Sequence, residues 1–160
     1  MTHGRAALRR WTTLRADDGT AAVEFAVLLP VLFVIVMGVV DFGRVMVTAV
    51  AVAGAAKAGA QYGAQGPYQA GDTVAMNAAA TSDFGTGLGT LTVSSERQCR
   101  CGWDDAAVVG DGCATLSCAG IGVPRVFTAV TGTRAVQLFF RYPGLPASIP
   151  VVRTATVRMQ

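Results

Sequence analysis

Between Phe25 and Val40 the chain reads FAVLLPVLFVIVMGVV, 16 residues with no charge and no side chain more polar than Gly. Extended back to Thr20, the stretch has 21 residues and a single charge, Glu24. A helix rising about 1.5 Å per residue over that length crosses the ~30 Å hydrocarbon core of a bilayer. The sequence therefore predicts a membrane span over residues 20–41. Charged residues are 14% of the chain and hydrophobic ones 52%, against roughly 25% charged in an ordinary soluble domain. Disorder is excluded by the same figures, because disordered chains are charge-rich and apolar-poor. The 160 residues leave room for one modest core outside the span.

Charge distribution sets the orientation. The formal charge is +3, and four of the 13 basic residues (Arg5, Arg9, Arg10, Arg15) precede residue 16. Without residues 1–19 the chain has nine basic and eight acidic residues, so no basic surface for nucleic acid is expected. The positive-inside rule places residues 1–18 in the cytoplasm and everything beyond about residue 45 outside it.

Three kinds of N-terminal segment share this hydropathy. A cleaved secretory signal needs a small-residue cleavage site just after the apolar run; the nearest, Ala51-Val52-Ala53, comes late, after Asp41 and Arg44. Arg9-Arg10-Trp11 has a twin-arginine look, but no good cleavage site accompanies it. An uncleaved anchor satisfies the hydropathy alone. A type IV prepilin-like signal demands more: a short basic leader, a Gly at the cut, and a Glu at the fifth position after it. Here Gly19 is followed by Thr20, Ala21, Ala22, Val23 and Glu24, which meets the demand in full. Cutting after Gly19 creates a cationic amine on Thr20, and Glu24 lies one helical turn on, where i,i+4 groups share a face. The two charges could neutralise one another within a subunit or between neighbours and so lower the burial penalty of each. The competing reading makes Glu24 a residue that snorkels at the cytoplasmic edge of a plain anchor, with Asp17 or Asp18 capping the helix.

The flanking residues narrow the choice. The stretch Gly19 to Ala64 carries A-A-V-E-F at 21–25, Pro30, D-F-G-R at 41–44 (Asp41, Phe42, Gly43, Arg44) and A-x-x-G-A-x-Y-G at 56–63. In these features, Phe25 and Glu24 included, it closely resembles the TadE-like family of tight-adherence (Flp pilus) secretion systems. The order beyond it, a helix, a Cys-rich loop, then Val-rich strands ending near T-A-T-V-R-M at 154–159, is similar to the family as well. The resemblance implies a pseudopilin-like protein, cut by a prepilin peptidase between Gly19 and Thr20 and working with other pseudopilins in pilus assembly. It implies a single-pass protein of the bacterial inner membrane, its C-terminal domain periplasmic or extracellular.

The residues predict the architecture directly. Pro30 has no N–H to donate, so a kink is expected there, and pilin-type helices carry such a bend. Helical patterning continues past Asp41 as an Ala-rich amphipathic stretch over 42–63. Small residues recur at Ala49, Ala53, Ala56, Gly59, Ala60 and Gly63, a stripe that permits close backbone approach, either to a neighbouring helix or under the protein's own sheet. Residues 64–71 break the helix with Gly and Pro, and a shorter helix is expected from Asp72, as N-cap, to about Ala80. Strands are expected at Thr90–Gln98, Val126–Thr131, Arg134–Arg141 and Pro150–Met159, with a tight turn or a bulge at Thr131-Gly132-Thr133. The expected fold is α+β: a 1–19 leader, a long helix running from the membrane outward, and a small antiparallel sheet within 64–160, type IV pilin-like.

All four cysteines (Cys99, Cys101, Cys113, Cys118) fall in one short loop, 99–118. Outside the cytoplasm that arrangement predicts two disulfides. Pairing Cys99 with Cys101 would be strained, which leaves the nested pairing (99–118 with 101–113) and the crossed one (99–113 with 101–118). A zinc site is the rival reading, disfavoured by C-x-C and C-x4-C spacings and by the lack of a nearby His. The loop's acids, Asp104, Asp105 and Asp111 beside Trp103, read as a solvated segment, with a contact surface or weak calcium binding as the other uses.

Catalysis is not expected. The one histidine, His3, lies in the leader, so no Ser-His-Asp or Cys-His arrangement and no His-based metal site would form in the mature chain. No C-x-x-C occurs, and Gly85-Thr86-Gly87-Leu88-Gly89 lacks the spacing of a nucleotide loop. No cofactor, metal or small-molecule substrate is expected; the partners are the membrane, a prepilin peptidase and other assembly proteins. The alternative is a permanently anchored bitopic binding module whose disulfide-clamped domain captures a partner.

Overall fold

A computed structural model describes residues 16–85, 87–102, 106–120 and 122–159, without the side chains of 16–18 and 111. Residues 1–15 of the basic leader and Trp103, Asp104 and Asp105 of the Cys loop lie outside the described residues. The chain forms two compact units, one ending at Val40 and the other beginning at Asp41. Asp41, the last residue of the predicted span, thus belongs by its contacts to the second unit, the head.

The first unit is the opening part of helix α1 (Ala16–Gly63). Asp17 and Asp18 are helical, and the residues before Ala16 lie outside the described ones. Every side chain from Gly19 to Val36 is exposed and none up to Val40 is buried. The helix runs on through Pro30, and it is long and apolar enough to cross a membrane.

The head is α+β, as expected. It contains the continuation of α1, a five-residue helix α2 (Pro67–Gly71), α3 (Thr73–Phe84), and strands β1 (Thr92–Arg100), β2 (Val108–Val109), β3 (Arg125–Gln137) and β4 (Ser148–Arg158). The sheet has the order β2-β1-β3-β4, antiparallel throughout. Asp72 caps α3 as its sequence predicts: its Oδ1 accepts the Ala75 N–H at 2.8 Å, which satisfies one of the helix's orphan donors.

The core lies between α1, α3 and the sheet. One cluster joins Ala49, Val52 and Ala55 of α1 to Phe84, Val136 and Val151; a second joins Ala60 to Met76, Ala80 and Val130. Fully burying Met76 or Val130 is worth about 1.5–3 kcal/mol each. The stripe of small residues is what lets α1 come so close. A Cβ on Gly59 would sit 2.8 Å from the Met76 carbonyl oxygen, and one on Gly63 would collide with the Met76 sulfur. Of the stripe, Ala49, Ala56, Gly59, Ala60 and Gly63 are buried and Ala53 is exposed, so its main use is under the protein's own sheet. Thr128, itself buried, donates its Oγ1–H to the Ala60 carbonyl at 2.8 Å.

Three expectations need correction. The strands predicted at Val126–Thr131 and Arg134–Arg141 are one 13-residue strand, β3. Gly132 is neither turn nor bulge: it pairs with Val93 on one side and Arg153 on the other. An added Cβ there would lie 3.0 Å from Val52 Cγ1, so Gly marks a close approach of helix to sheet. Within 64–71, Pro67 starts the short α2 where only a break was expected; Pro is pre-organised for that first helical position. Of the two cysteine pairings the sequence leaves open, the structure has the crossed one, Cys99–Cys113 and Cys101–Cys118. Val108 pairs with Cys99 in the sheet, and the 3-10 turn Gly110–Ala114 then folds Cys113 back towards it.

Candidate functional site

The D-F-G-R segment divides its four residues between two directions. Phe42 is exposed, and Gly43 has nothing within 4 Å of where a Cβ would stand. Asp41 and Arg44, three residues apart and so on one helix face, turn to the loop that joins β3 to β4. Asp41 is 3% exposed. Its Oδ1 accepts the Phe139 N–H at 3.0 Å, and its Oδ2 accepts the Phe140 N–H at 3.4 Å and the Tyr142 hydroxyl at 3.3 Å. Arg44 completes the arrangement: Nη1 donates to the Gln137 carbonyl at 3.0 Å and lies 3.6 Å from Asp41 Oδ1. Its guanidinium also covers a face of the Phe139 ring, 3.9 Å from the centroid, a favourable cation–π geometry. Phe140 and Tyr142 meet edge to face with centroids 5.2 Å apart.

The electrostatics follow from these contacts. The Phe139 amide, and after it the Phe140 amide, the Tyr142 hydroxyl and the Arg44 charge, hold the Asp41 carboxyl below its ordinary value, against the opposing effect of burial. Burial pushes the Tyr142 phenol up, and the neighbouring Asp41 charge adds to that. Asp41 is therefore a buried carboxylate whose charge is met by donors on every described side, which is the condition for leaving a charge out of water.

This clasp explains why β3 ends early. The predicted strand ran to Arg141, but the amides of Phe139 and Phe140, which would have extended the ladder, are taken by Asp41. The Leu138 amide instead donates to the Ala147 carbonyl at 3.1 Å and closes the loop. Sequence reading named Asp41 and Arg44 and missed Phe139, Phe140 and Tyr142. Their signal is two adjacent aromatics entering a Pro- and Gly-rich turn, F-F-R-Y-P-G-L-P at 139–146, which by hydropathy alone reads as the end of a strand.

The other predicted residues lie along α1 or in the Cys loop. Gly19, Thr20, Glu24, Phe25 and Pro30 are all within the helix and exposed. Thr20 and Glu24 are one turn apart, and the Gly19–Thr20 bond is itself inside the helical segment. The four cysteines are spent in the two disulfides. Among the described residues no group of His, Cys, Asp and Glu is placed to hold a metal.

Residues 19–61 match the family model for TadE-like protein. The membrane-proximal helix of this chain is TadE-like. The matched stretch begins at Gly19, includes Glu24 and Pro30, and runs through Asp41 and Arg44 to the helix that lies under the sheet. A TadE-like segment points to a component related to the Tad pilus. No curated protein and no solved structure matches the chain. The sheet, the Cys loop and the aromatic end of the clasp all lie outside the TadE-like stretch.

Proposed function

We propose that this protein is a TadE-like pseudopilin, an assembly component of a tight-adherence (Flp-type) pilus or a related secretion machine. In this reading it is made with a cytoplasmic leader, inserted in the inner membrane by α1, and cut by a prepilin peptidase between Gly19 and Thr20. The observation that carries it is the TadE-like match starting at Gly19, with Glu24 one helical turn beyond the new terminus. The amine freed on Thr20 and the Glu24 carboxylate then share a helix face, where each lowers the penalty of holding the other in a bilayer. The head is held at Asp41, on the residue that follows the apolar run, and contributes a surface for neighbouring assembly proteins. A bend at Pro30 belongs to the same reading.

Two measurements test it together. Protein purified from native membranes should have an intact mass corresponding to a chain that begins at Thr20. Gly19→Leu should leave the leader on, because the peptidase accommodates a small side chain at the scissile bond. A chain that keeps Met1 in the wild type, or a normal Thr20 terminus in Gly19→Leu, overturns the reading in favour of a permanently anchored binding module.

A further inference from the structure

The described part of the head exposes few large apolar side chains outside its helices, and three of them fall within seven residues of one loop. Phe139 is 69% exposed, Phe140 41% and Leu145 58%. Arg141, between them, is exposed as well. Bare aromatic and aliphatic side chains at the tip of a polar loop are unfavourable in water and call for an apolar partner. Their place in the chain says which. The Phe139 and Phe140 amides are bonded to Asp41, and Asp41 is joined by a peptide bond to Val40, the last residue of the apolar run. The loop is thus tied to the very residue at which a chain crossing a bilayer re-enters water.

We propose that the β3–β4 loop is a lipid-contacting foot, with Phe139, Phe140 and Leu145 seated at the headgroup–acyl boundary of the membrane that α1 crosses. The composition fits that boundary: aromatic and aliphatic groups prefer its apolar side, while Arg141 carries a long stem that keeps its guanidinium group among phosphates. The clasp supplies the rigidity this needs. Arg44 covers one face of the Phe139 ring, and the Leu145 amide donates to the Tyr142 carbonyl at 3.1 Å, closing the turn that presents Leu145. The proposal rests on α1 spanning the membrane and not on the pseudopilin role.

The test uses the full chain with Trp11→Phe and Trp103→Phe, reconstituted at low density in vesicles of phosphatidylcholine with some phosphatidylglycerol. Single tryptophans are introduced as Phe139→Trp, Leu145→Trp, Tyr68→Trp and Leu29→Trp, and intact disulfides and an unchanged melt certify the fold of each. Phosphatidylcholine brominated near the headgroup or near the chain end then reports depth by quenching. The expected result is blue-shifted emission at 139 and 145, quenched more by the shallow bromines. Leu29→Trp should be quenched more by the deep ones, and Tyr68→Trp, on an exposed residue of α2, should be unaffected. Water-like, unquenched emission at 139 and 145 with Leu29→Trp still quenched overturns the foot and leaves the span intact. Loss of quenching at Leu29→Trp removes the span, and the foot with it. A blue shift at 139 that ignores the bromines and grows with protein density assigns the loop to a second copy of the chain and also overturns the proposal.

Discussion

Two stretches of one helix are made of different residues because they answer to different surroundings. From Phe25 to Val40, α1 is built of Val, Leu, Ile and Phe, and none of these side chains is buried. From Asp41 to Gly63 the same helix is dominated by Ala and Gly, and it holds Val52, Ala55 and Ala60 wholly out of solvent. Along the first stretch the side chains are unburied, so large apolar groups serve wherever lipid is the solvent. Along the second, the sheet and α3 set the limit, and positions 59 and 63 admit no Cβ without displacing Met76. Apolar bulk is an asset in one half and a defect in the other.

The largest effect expected from breaking this contrast comes from the one acid in the first stretch. Glu24→Ala should abolish co-purification with other pilus components and piliation, while leader removal and membrane insertion persist and the melting of the head is unchanged. Insertion should improve slightly, since an intramembrane acid is unfavourable by roughly 2.5–3.5 kcal/mol at mid-span and less near its edge. Normal piliation in Glu24→Ala would reduce the residue to an anchor's edge.

Removing one disulfide acts on the head alone. Cys99→Ala with Cys113→Ala should lower head stability by about 2–4 kcal/mol, seen as a lower melting temperature in near-ultraviolet circular dichroism. The helical signal of residues 25–40 in detergent should stay. In the wild type all four thiols should resist alkylation until a reductant is added.

A matched pair of glycines sharpens the comparison within α1. Gly59→Ala places a methyl against the Met76 backbone and should destabilise the head by about 1–3 kcal/mol. Gly43→Ala meets open space and should be neutral or stabilising by up to about 1 kcal/mol through helix propensity. Equal melting temperatures for the two would refute the close approach of α1 to α3 at Gly59.

The smallest effect expected is in the pH profile of the clasp. Because the folded Asp41 carboxyl titrates below its ordinary value of 3.8, its contribution is complete above that value and fades as pH falls through the folded one. Tyr142 titrates above 10.0, so its contribution holds below that pH and fades as pH rises through the higher folded value. Asp41→Asn should flatten the acid limb of stability against pH, and Tyr142→Phe the alkaline limb. Unchanged limbs in both variants would mean the clasp adds nothing to folding.

Local features were legible in the sequence and distant ones were not. The long helix, the Asp72 cap, the final strand and the involvement of all four cysteines rest on short-range patterns of hydropathy and spacing. The crossed pairing depends on where a 3-10 turn folds Cys113, which spacing does not encode. Gly132 looked like a break because Gly is a poor strand former; its reason is Val52, 80 positions earlier. Asp41 carried a motif but no visible partner, since Phe139 and Tyr142 lie about a hundred residues away and meet it only in the folded head.

The clasp has a mechanical consequence. Any pull on the apolar segment enters the head through the peptide bond between Val40 and Asp41. Without the clasp, tension would lift α1 from the sheet starting at Val45 and proceed turn by turn, each contact yielding alone under a small force. With it, the load divides at its entry point, and Gln137 passes a share to β3, which is paired along both edges. Bonds strained in parallel must fail together, so the head should resist extraction far better than its modest core suggests, and Asp41 decides whether the helix peels or holds.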